Sequence, residues 1–456
     1  MFDLLPELSE GLLKALGRGL GVLLIGNLCT LAAAQSLDEA HWPSWRGPLG
    51  TGEAPGATPP TRWSESENVR WKVPIPGRGN GTPILWGDLI FVLSALDVGQ
   101  APKLERSAEE LASLKDAQRK TQISRQRFGV LALHRKDGSV AWKSVASVAE
   151  PHEEIHDDGT WASSSAVTDG DHLYAYFGSQ GLYAYDLGGQ KLWSRQFEPM
   201  SRRGFGEGSS PALYGDTLVI QRDHDGDSEI LALDKNSGEL LWRQPREERV
   251  TWATPLILEV DGKPQVITNG SQKIRAYNLA TGELIWECAG MTPNAVPTPV
   301  HHDGLVYLTS GFGKSAMLAI RPSGAHGDIQ DSEHVVWKLR RHTPYVPTPL
   351  VVGDQIYFLK SNSGMLSAAN LKTGELSLKA ERLAEIQNIY ASPVAAAGHV
   401  YVVGRDGQTE VYAQGKMKEP VAINLLEDRP FAASPALAEG ELYLRGEHFL
   451  YCIAAD

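Results

Sequence analysis

Residues 230–242 read ILALDKNSGELLW, and this stretch decides the fold. Two short apolar runs, Ile230–Leu233 and Leu240–Trp242, flank a polar segment that contains Asp234, Asn236 and Gly238. Asp and Asn bond their own backbone in turns, and Gly adopts a positive φ without steric cost, so the stretch predicts a strand, a tight turn and a second strand. Because a lone hairpin is marginal in water, this one needs neighbours.

The same spacing recurs along the chain. Counted from Ala232, the Asp lies two residues on, the Gly six on and the Trp ten on. Further copies begin at Ala132, Ala276 and Ala368 (with Leu378 for the Trp), at Ala184 with one residue deleted, and at Ala319 with an insertion before Trp337.

A small hydroxyl residue followed by Pro precedes the copies. It is Thr82, Ser210, Thr254, Thr298, Thr348, Ser392 and Ser434, and Ser165-Ala166 is a degenerate eighth. From residue 166 onward these markers are 42 to 50 residues apart. A period of about 40–50 residues with several short strands per unit is typical of a propeller. The sequence therefore predicts an all-β, eight-bladed β-propeller over residues 69–456.

The two ends of the propeller are predicted to pair. Val69–Val73 reads as the outer strand of the last blade, beside Phe449–Ile453, because that pairing removes the open edges of the ring. Residues 35–68 are rich in Pro and Gly but also contain Trp42 and Trp45, so they are predicted to be a leader packed on the propeller.

The first blade is interrupted at residues 97–127, which have helical composition and dense charge. Ser107 and Glu110 resemble a capping box, so we expect a short helical insertion. A solvated surface element is favoured over a partner-binding arm.

Residues 1–34 resemble a secretory signal, with Lys14 and Arg18 before an apolar run and Ala32–Ala34 at the cleavage site. We expect export to the periplasm or cell envelope of a bacterium, with no transmembrane span in the mature chain. Without the signal the net charge is −11 instead of −12, which disfavours nucleic acid as a partner. Cys288 and Cys452 are expected to be buried free thiols, and the protein a monomer.

The pattern Ala-x-Asp-x-x-x-Gly-Glu-x-x-Trp at 232–242 resembles the pyrroloquinoline-quinone (PQQ) repeat of quinoprotein dehydrogenases and their non-catalytic relatives. The resemblance covers the chain from about Val69 onward. It implies that the Trp of an outer strand docks on the neighbouring blade, over the small Ala and the turn Gly. The docking residues would be Ala132, Trp142, Trp193, Ala232, Gly238, Trp242, Ala276, Gly282, Trp286 and Trp337.

The resemblance does not extend to the residues that support alcohol dehydrogenase chemistry. Quinoprotein alcohol dehydrogenases carry adjacent cysteines under the quinone, and this chain has no Cys-Cys and no C-x-x-C-H haem motif. A Glu, Asn and Asp trio for Ca²⁺ cannot be placed by spacing. PQQ with Ca²⁺ is therefore disfavoured. Length, blade number and export resemble the non-catalytic members, such as the propeller subunit of the outer-membrane β-barrel assembly machinery, although a lipoprotein cysteine motif is missing.

Candidate ligand-binding residues lie in the segments that enter each innermost strand. They are Arg78, His156, Trp161, Arg203, Arg249, Trp252, His342, Tyr345 and Tyr390, accompanied by Asn80, Asp157, Arg202, Glu207, Asn388 and Arg429. We expect a basic, aromatic-lined funnel at the channel mouth, in which Arg would bind carboxylate or sulfate and aromatic rings would stack on a sugar or peptide. The alternative is that these loop charges are simply solvated.

Asp223, Asp225 and Asp227 resemble the start of a calcium loop. The Gly falls at the fourth position instead of the sixth, which favours a polar hairpin turn and no metal.

The sequence thus predicts an exported, non-catalytic binding or scaffold protein whose partner is a protein or a small anionic or carbohydrate ligand. No catalytic constellation is recognised. Two alternatives stay open: a PQQ-dependent oxidoreductase with a non-standard active site, and a polysaccharide-binding or polysaccharide-processing protein.

Overall fold

The computed structural model describes residues 40–99, 120–121, 123–200 and 204–455. In this part of the chain, eight antiparallel four-stranded sheets form an eight-bladed propeller, which confirms the predicted fold class. Contacts between innermost strands link blades 1 to 4, blades 5 to 7, and blade 8 to blade 1. A 3₁₀ turn at Gly178–Gln180 is the one helical element among the described residues.

The strands of each blade run from the channel to the rim. Blades 1 to 4 are Ile84–Trp86, Leu89–Asp97, Gln126–His134 and Val140–Ala149; Val167–Thr168, His172–Tyr176, Leu182–Asp186 and Lys191–Arg195; Ala212–Tyr214, Thr217–Arg222, Glu229–Asp234 and Leu240–Pro245; and Leu256–Val260, Lys263–Thr268, Lys273–Asn278 and Leu284–Ala289. Blades 5 to 8 are Val300–His302, Leu305–Ser310, Ala316–Ile320 and Val335–Leu339; Leu350–Val352, Gln355–Leu359, Met365–Asn370 and Leu376–Arg382; Val394–Ala396, His399–Val403, Gln408–Ala413 and Ala422–Leu425; and Ala436–Ala438, Glu441–Arg445, Phe449–Ala454 and Val69–Pro74.

Burial follows position within the blade. The middle strands are covered on both faces by neighbouring blades, so residues 218–220 and 230–233 are completely buried. The outermost strands are half exposed, and Leu241 keeps 52% of its surface in solvent. This gradient explains why the second and third strands read as apolar runs and the fourth as an alternating one.

The hydroxyl markers join the blades around the channel. In seven of the eight markers, from Thr82 to Ser392, the backbone N–H donates to the hydroxyl of the marker in the next blade over 2.9–3.1 Å. The chain of bonds runs through Thr82, Ser165, Ser210, Thr254, Thr298, Thr348, Ser392 and Ser434. We call it the hydroxyl ring. A buried N–H left without an acceptor is costly, and the Ser or Thr removes that cost at the seven junctions from blade 1 to blade 8.

The repeated tryptophans join the blades near the rim. Trp242 of blade 3 lies against Gly282 of blade 4, where an added Cβ would approach the indole to 2.7 Å, and its Nε1 donates to the carbonyl of Leu279 over 2.7 Å. The same contact pairs Trp71 with Gly138, Trp142 with Gly189, Trp193 with Gly238 and Trp337 with Gly374. The repeat Ala is the cross-strand partner of the Trp in its own blade, as Ala232 is of Trp242 and Ala132 is of Trp142. The turn Gly therefore receives the Trp of the preceding blade.

Trp286 differs from the predicted docking. Blade 5 has an insertion where the turn Gly would be, so no turn Gly of blade 5 packs against the Trp286 indole. The insertion instead adds the strand Gly327–Asp328 in parallel beside Trp286 and Glu287. Trp286 is completely buried, and its Nε1 donates to Gln265 over 3.3 Å. Ala276 is its cross-strand partner.

Blade 8 contains both ends of the ring, because Val69–Pro74 pairs with Phe449–Ala454. Trp71 of this strand docks on Gly138 of blade 1 and donates to the carbonyl of Arg135 over 2.8 Å. Cys452 in this sheet and Cys288 in blade 4 are buried free thiols.

The segment before the ring crosses it. Trp42 is fully buried and exchanges two backbone hydrogen bonds with Leu85 of blade 1. Arg46, 2% exposed, donates to the carbonyls of Thr51 and Pro393 over 3.0 and 2.9 Å, and burial lowers its pKa to about 9. The strand Glu53–Ala54 then adds to blade 7. Residues 42–54, which we call the crossing segment, thus pass from blade 1 to blade 7 across the channel.

The predicted helical insertion falls largely outside the described residues. Its two ends are strands, since Asp97 lies opposite Gln126 at the end of a long hairpin in blade 1. The short strand Lys120–Thr121 pairs with Ile155–His156, next to the channel mouth. In the described part of the chain we find no helix with the length and apolar character needed to cross a membrane.

Candidate functional site

The channel widens at one end into a cavity of about 870 Å³. Its walls come from two kinds of segment: those that enter the innermost strands, and the turns between the second and third strands. Hydroxyl-ring residues, among them Ser210, Thr254 and Thr298, lie at its base. Trp45 of the crossing segment also lines it and donates to Thr298 Oγ1 over 3.2 Å. We call this space the mouth cavity.

The structure brings together part of the predicted set. His156, Trp252, Tyr345 and Tyr390 line the mouth cavity, and so does Asn80. All of them belong to segments that precede a hydroxyl-ring residue, which is the spacing argument that predicted them.

The other predicted residues lie elsewhere. Arg78 pairs with Glu447 over 2.8 Å, and Trp161 donates to the carbonyl of Glu153 over 3.2 Å. Arg249 is exposed and His342 half-buried, and neither lines the cavity; Arg203 lies outside the described residues. Among the described residues that line the cavity there is no Arg or Lys. The described part of the lining thus contains the aromatic residues His156, Trp252, Tyr345 and Tyr390 of the predicted set, and none of its arginines.

One carboxylate, Asp158, links opposite walls of the mouth cavity. It belongs to blade 2, yet it accepts from Arg405 Nη1 at 2.9 Å and from the Tyr390 hydroxyl at 3.2 Å, both near blade 7. His156 Nδ1 lies 3.5 Å from the same carboxylate. Burial, and then the charge of Asp158, raise the pKa of Tyr390 to about 12, so its hydroxyl keeps the proton it donates. The Arg405 guanidinium also lies 4.6 Å from the Tyr390 ring centre.

Sequence reasoning missed Asp158 and Arg405. Asp158 follows the predicted Asp157, so the segment was found but not the residue. Arg405 lies in the turn between the second and third strands of blade 7, and no spacing rule relates that turn to blade 2. Only the closed ring places them together.

The aromatic side chains of the lining are held in fixed orientations. Trp252 Nε1 donates to the carbonyl of Gly206 over 2.7 Å. Phe312 and Tyr345 pack at 5.2 Å between ring centres, and His156 lies 6.1 Å from Phe205. The polar atoms of Trp252 and Tyr390 are thus bonded within the protein, which leaves the apolar ring surfaces of these two residues for contact with a ligand.

Three side-chain amides complete the lining: Asn80, Asn294 and Asn362. Asn80 Nδ2 donates to the carbonyl of Asp158 over 3.3 Å, and Asn362 Oδ1 accepts from Val346 N over 3.0 Å. Asn294 adopts a left-handed backbone conformation (φ 57°), which Asn tolerates better than most residues.

A buried acidic group lies beside the mouth cavity. Glu207 accepts from the backbone N–H of Ser179 over 2.8 Å, and His152 Nε2 is 3.7 Å from its carboxylate. Burial raises the pKa of Glu207 to about 7. Burial therefore favours the protonated form of this carboxyl group, compared with an exposed Glu.

The calcium-loop residues do not converge. Asp223 is completely buried and accepts from Arg246 and Thr251 over 2.7 Å each, whereas Asp225 and Asp227 are exposed. Asp223 belongs to a buried ion pair with Arg246, and Asp225 and Asp227 belong to an exposed turn. Within the described residues no group of three His, Cys, Asp or Glu side chains is arranged to hold a metal ion.

A bound PQQ with its metal would need ligands from the residues that line the mouth cavity. Hard cations require several oxygen ligands. Asp158 is the one carboxylate among the described lining residues, and Arg405 already neutralises it. The donor set of the mouth cavity therefore does not fit a metal-bound quinone, and no catalytic step is derived through one.

Comparisons with known proteins agree with the architecture. A sequence profile described as outer membrane protein assembly factor BamB matches residues 61–205, 126–320 and 226–447, overlapping as repeats do. A search of curated proteins found no match.

Three solved structures resemble the chain in fold. BamB from Moraxella catarrhalis is 16% identical, with a TM-score of 0.51, over 79% of this chain and 97% of that one. A europium-containing methanol dehydrogenase is 11% identical (TM-score 0.58; 90% and 91% covered). The quinohemoprotein alcohol dehydrogenase ADHIIG from Pseudomonas putida HK5 is 12% identical (TM-score 0.54; 91% and 80% covered). At these identities the likeness concerns the fold alone.

Proposed function

Because this chain belongs to the family described as outer membrane protein assembly factor BamB, we propose that it is an exported, non-catalytic scaffold that binds a partner at its channel mouth. The observation that carries the proposal is the mouth cavity itself. It is large, and its acid, Asp158, is held by Arg405 and Tyr390 of the same chain. Such a lining favours binding over proton transfer or metal chemistry.

The family description suggests the kind of partner. A protein of the bacterial envelope would contact the loops around the mouth, and the assembly of outer-membrane proteins would be the process served. Export is part of the proposal, and sequencing the N-terminus of protein recovered from the cell envelope should show cleavage after Ala34. Light scattering of that protein should give the mass of a monomer.

Photo-crosslinking in cells tests the docking site. Phe312 lines the mouth cavity and is 44% exposed, so p-benzoylphenylalanine is a mild replacement there. Leu241, 52% exposed on the outermost strand of blade 3, is the matched control at the rim. We expect a discrete protein adduct from position 312 and none from 241. Adducts from the rim position alone would refute docking at the mouth.

A second candidate, a quinoprotein oxidoreductase, is supported by the extensive fold similarity to the two dehydrogenases. The purified protein should be titrated with PQQ and Ca²⁺ or Eu³⁺, with an artificial electron acceptor and a series of alcohols. We expect neither quinone binding nor turnover. Turnover that saturates with PQQ would replace the scaffold proposal.

A further inference from the structure

We propose that the mouth cavity is a binding site for a neutral oligosaccharide. This inference goes beyond the proposed function, because it assigns a small ligand to the cavity inside the opening, whereas the protein partner would contact the loops around it. At about 870 Å³ the cavity lies within the range of roughly 300–1,000 Å³ that is usual for small-molecule sites. Three properties of its lining select the ligand.

The first property is that the described lining residues carry no uncompensated carboxylate and no basic Arg or Lys side chain. Among the described lining residues Asp158 is the one carboxylate, and Arg405 compensates it at 2.9 Å. No Lys or Arg of the described chain faces the cavity to attract an anion. An acidic ligand would lose its hydration without gaining an ion pair, whereas a neutral ligand has no such cost.

The second property is a set of aromatic faces in fixed positions. Trp252 is held through its Nε1, Tyr390 through its hydroxyl, and Phe312 packs on Tyr345. Rings held in this way offer apolar faces with little further loss of conformational entropy. The C–H faces of a pyranose are apolar, while its rim carries hydroxyl groups, so it matches ring faces that are surrounded by hydrogen-bonding groups.

The third property is the source of the available hydrogen bonds. Backbone N–H groups at the base of the cavity, including those of Ser210, Thr254 and Thr298, already donate within the hydroxyl ring. A peptide strand would need such backbone groups to add to a sheet edge. The side-chain amide of Asn294 offers a donor and an acceptor to sugar hydroxyls, and Asn362, whose Oδ1 already accepts from Val346 N, offers its Nδ2 as a donor. The lining therefore favours a sugar over an extended peptide.

Titration calorimetry of the mature protein tests this proposal. The probes are cellohexaose, maltohexaose and chitohexaose as neutral sugars, a galacturonate hexamer as the anionic arm, and an uncharged aromatic hexapeptide. We expect at least one neutral hexamer to bind and the other two arms not to. Preference for the galacturonate or the peptide, or no binding by any neutral hexamer, would overturn the inference.

Variants locate the binding. Phe312→Ala removes one face of a ring pair, and Asn294→Gly removes an amide without straining the left-handed backbone. Each substitution should raise the dissociation constant of the hexamer by about tenfold, equivalent to about 1.4 kcal/mol of binding free energy. Leu241→Ala is the control and should bind like the parent. Equal affinity in all four proteins would place the sugar elsewhere. Failure here, together with retained crosslinks at position 312, would leave the scaffold proposal standing.

Discussion

Gly282→Ala is the sharpest test of how the blades are held together. Gly282 has φ +75°, and an added Cβ would lie 2.7 Å from the Trp242 indole. Gly304 has nearly the same backbone, φ +74°, but an added Cβ there would have no neighbour within 4 Å. The two substitutions therefore share the conformational cost and differ only in the clash.

The expected magnitudes follow from that difference. A left-handed Ala costs about 1–2 kcal/mol, which is the whole effect expected for Gly304→Ala. Overpacking a fitted contact adds about 1–3 kcal/mol, so Gly282→Ala should lower the free energy of unfolding by about 2–5 kcal/mol. Trp242→Ala alone should cost about 3–5 kcal/mol, because the indole is only 9% exposed.

Urea unfolding followed by far-ultraviolet circular dichroism measures these values, with an unchanged m-value as the condition for comparing them. In the Trp242→Ala background, adding Gly282→Ala should cost only as much as Gly304→Ala does. The reasoning is refuted if Gly282→Ala costs no more than Gly304→Ala in the parent, or if its excess cost persists without the indole.

Three further expectations can be measured on the same protein. Thr298→Val should cost more than Thr254→Val, about 2–4 against about 1–3 kcal/mol in urea unfolding, since Thr298 Oγ1 accepts two donors and Thr254 Oγ1 one; equal costs would contradict a stabilising Trp45 bond, and no cost for either would contradict the hydroxyl ring. The pKa of Glu207 is about 7 in the folded protein against an ordinary 4.5, so the native state holds a proton that the unfolded chain has released, and stability should fall as pH rises from about 4.5 to about 7. Glu207→Gln should flatten that slope in melts at a series of pH values, and a slope that survives would assign it to another group. Asp158→Asn should reduce stability by about 1–3 kcal/mol in urea, because Arg405 loses its counter-charge, and no loss would mean that the link across the mouth is not stabilising.

The repeat architecture was accessible from sequence because each copy carries its own turn and docking residue. Ala232, Gly238 and Trp242 recur at fixed offsets, and local chemistry explains each of them. Trp286 was misread for the same reason. Its partner turn is replaced by an insertion, and no rule of spacing shows that Gly327–Asp328 returns to cover it.

The mouth was less accessible because it depends on side chains from distant blades. The segments were identified, and they supplied His156, Trp252, Tyr345 and Tyr390. Which way each side chain points was not encoded in the spacing. Arg78 forms an ion pair with Glu447 and does not line the cavity. The Asp158–Arg405 pair exists only because the ring closes.

The crossing segment has a consequence for traffic through the ring. Trp45 lines the mouth cavity and Arg46 is bonded to the carbonyl of Pro393, so the crossing segment lies across the channel, and we expect a ligand to enter and leave from the mouth side. We expect that a long polymer cannot pass through the channel of the propeller. We expect only the end of a chain to reach the base of the cavity and to leave by the same opening. Chains whose ends carry bulky groups should therefore not bind there.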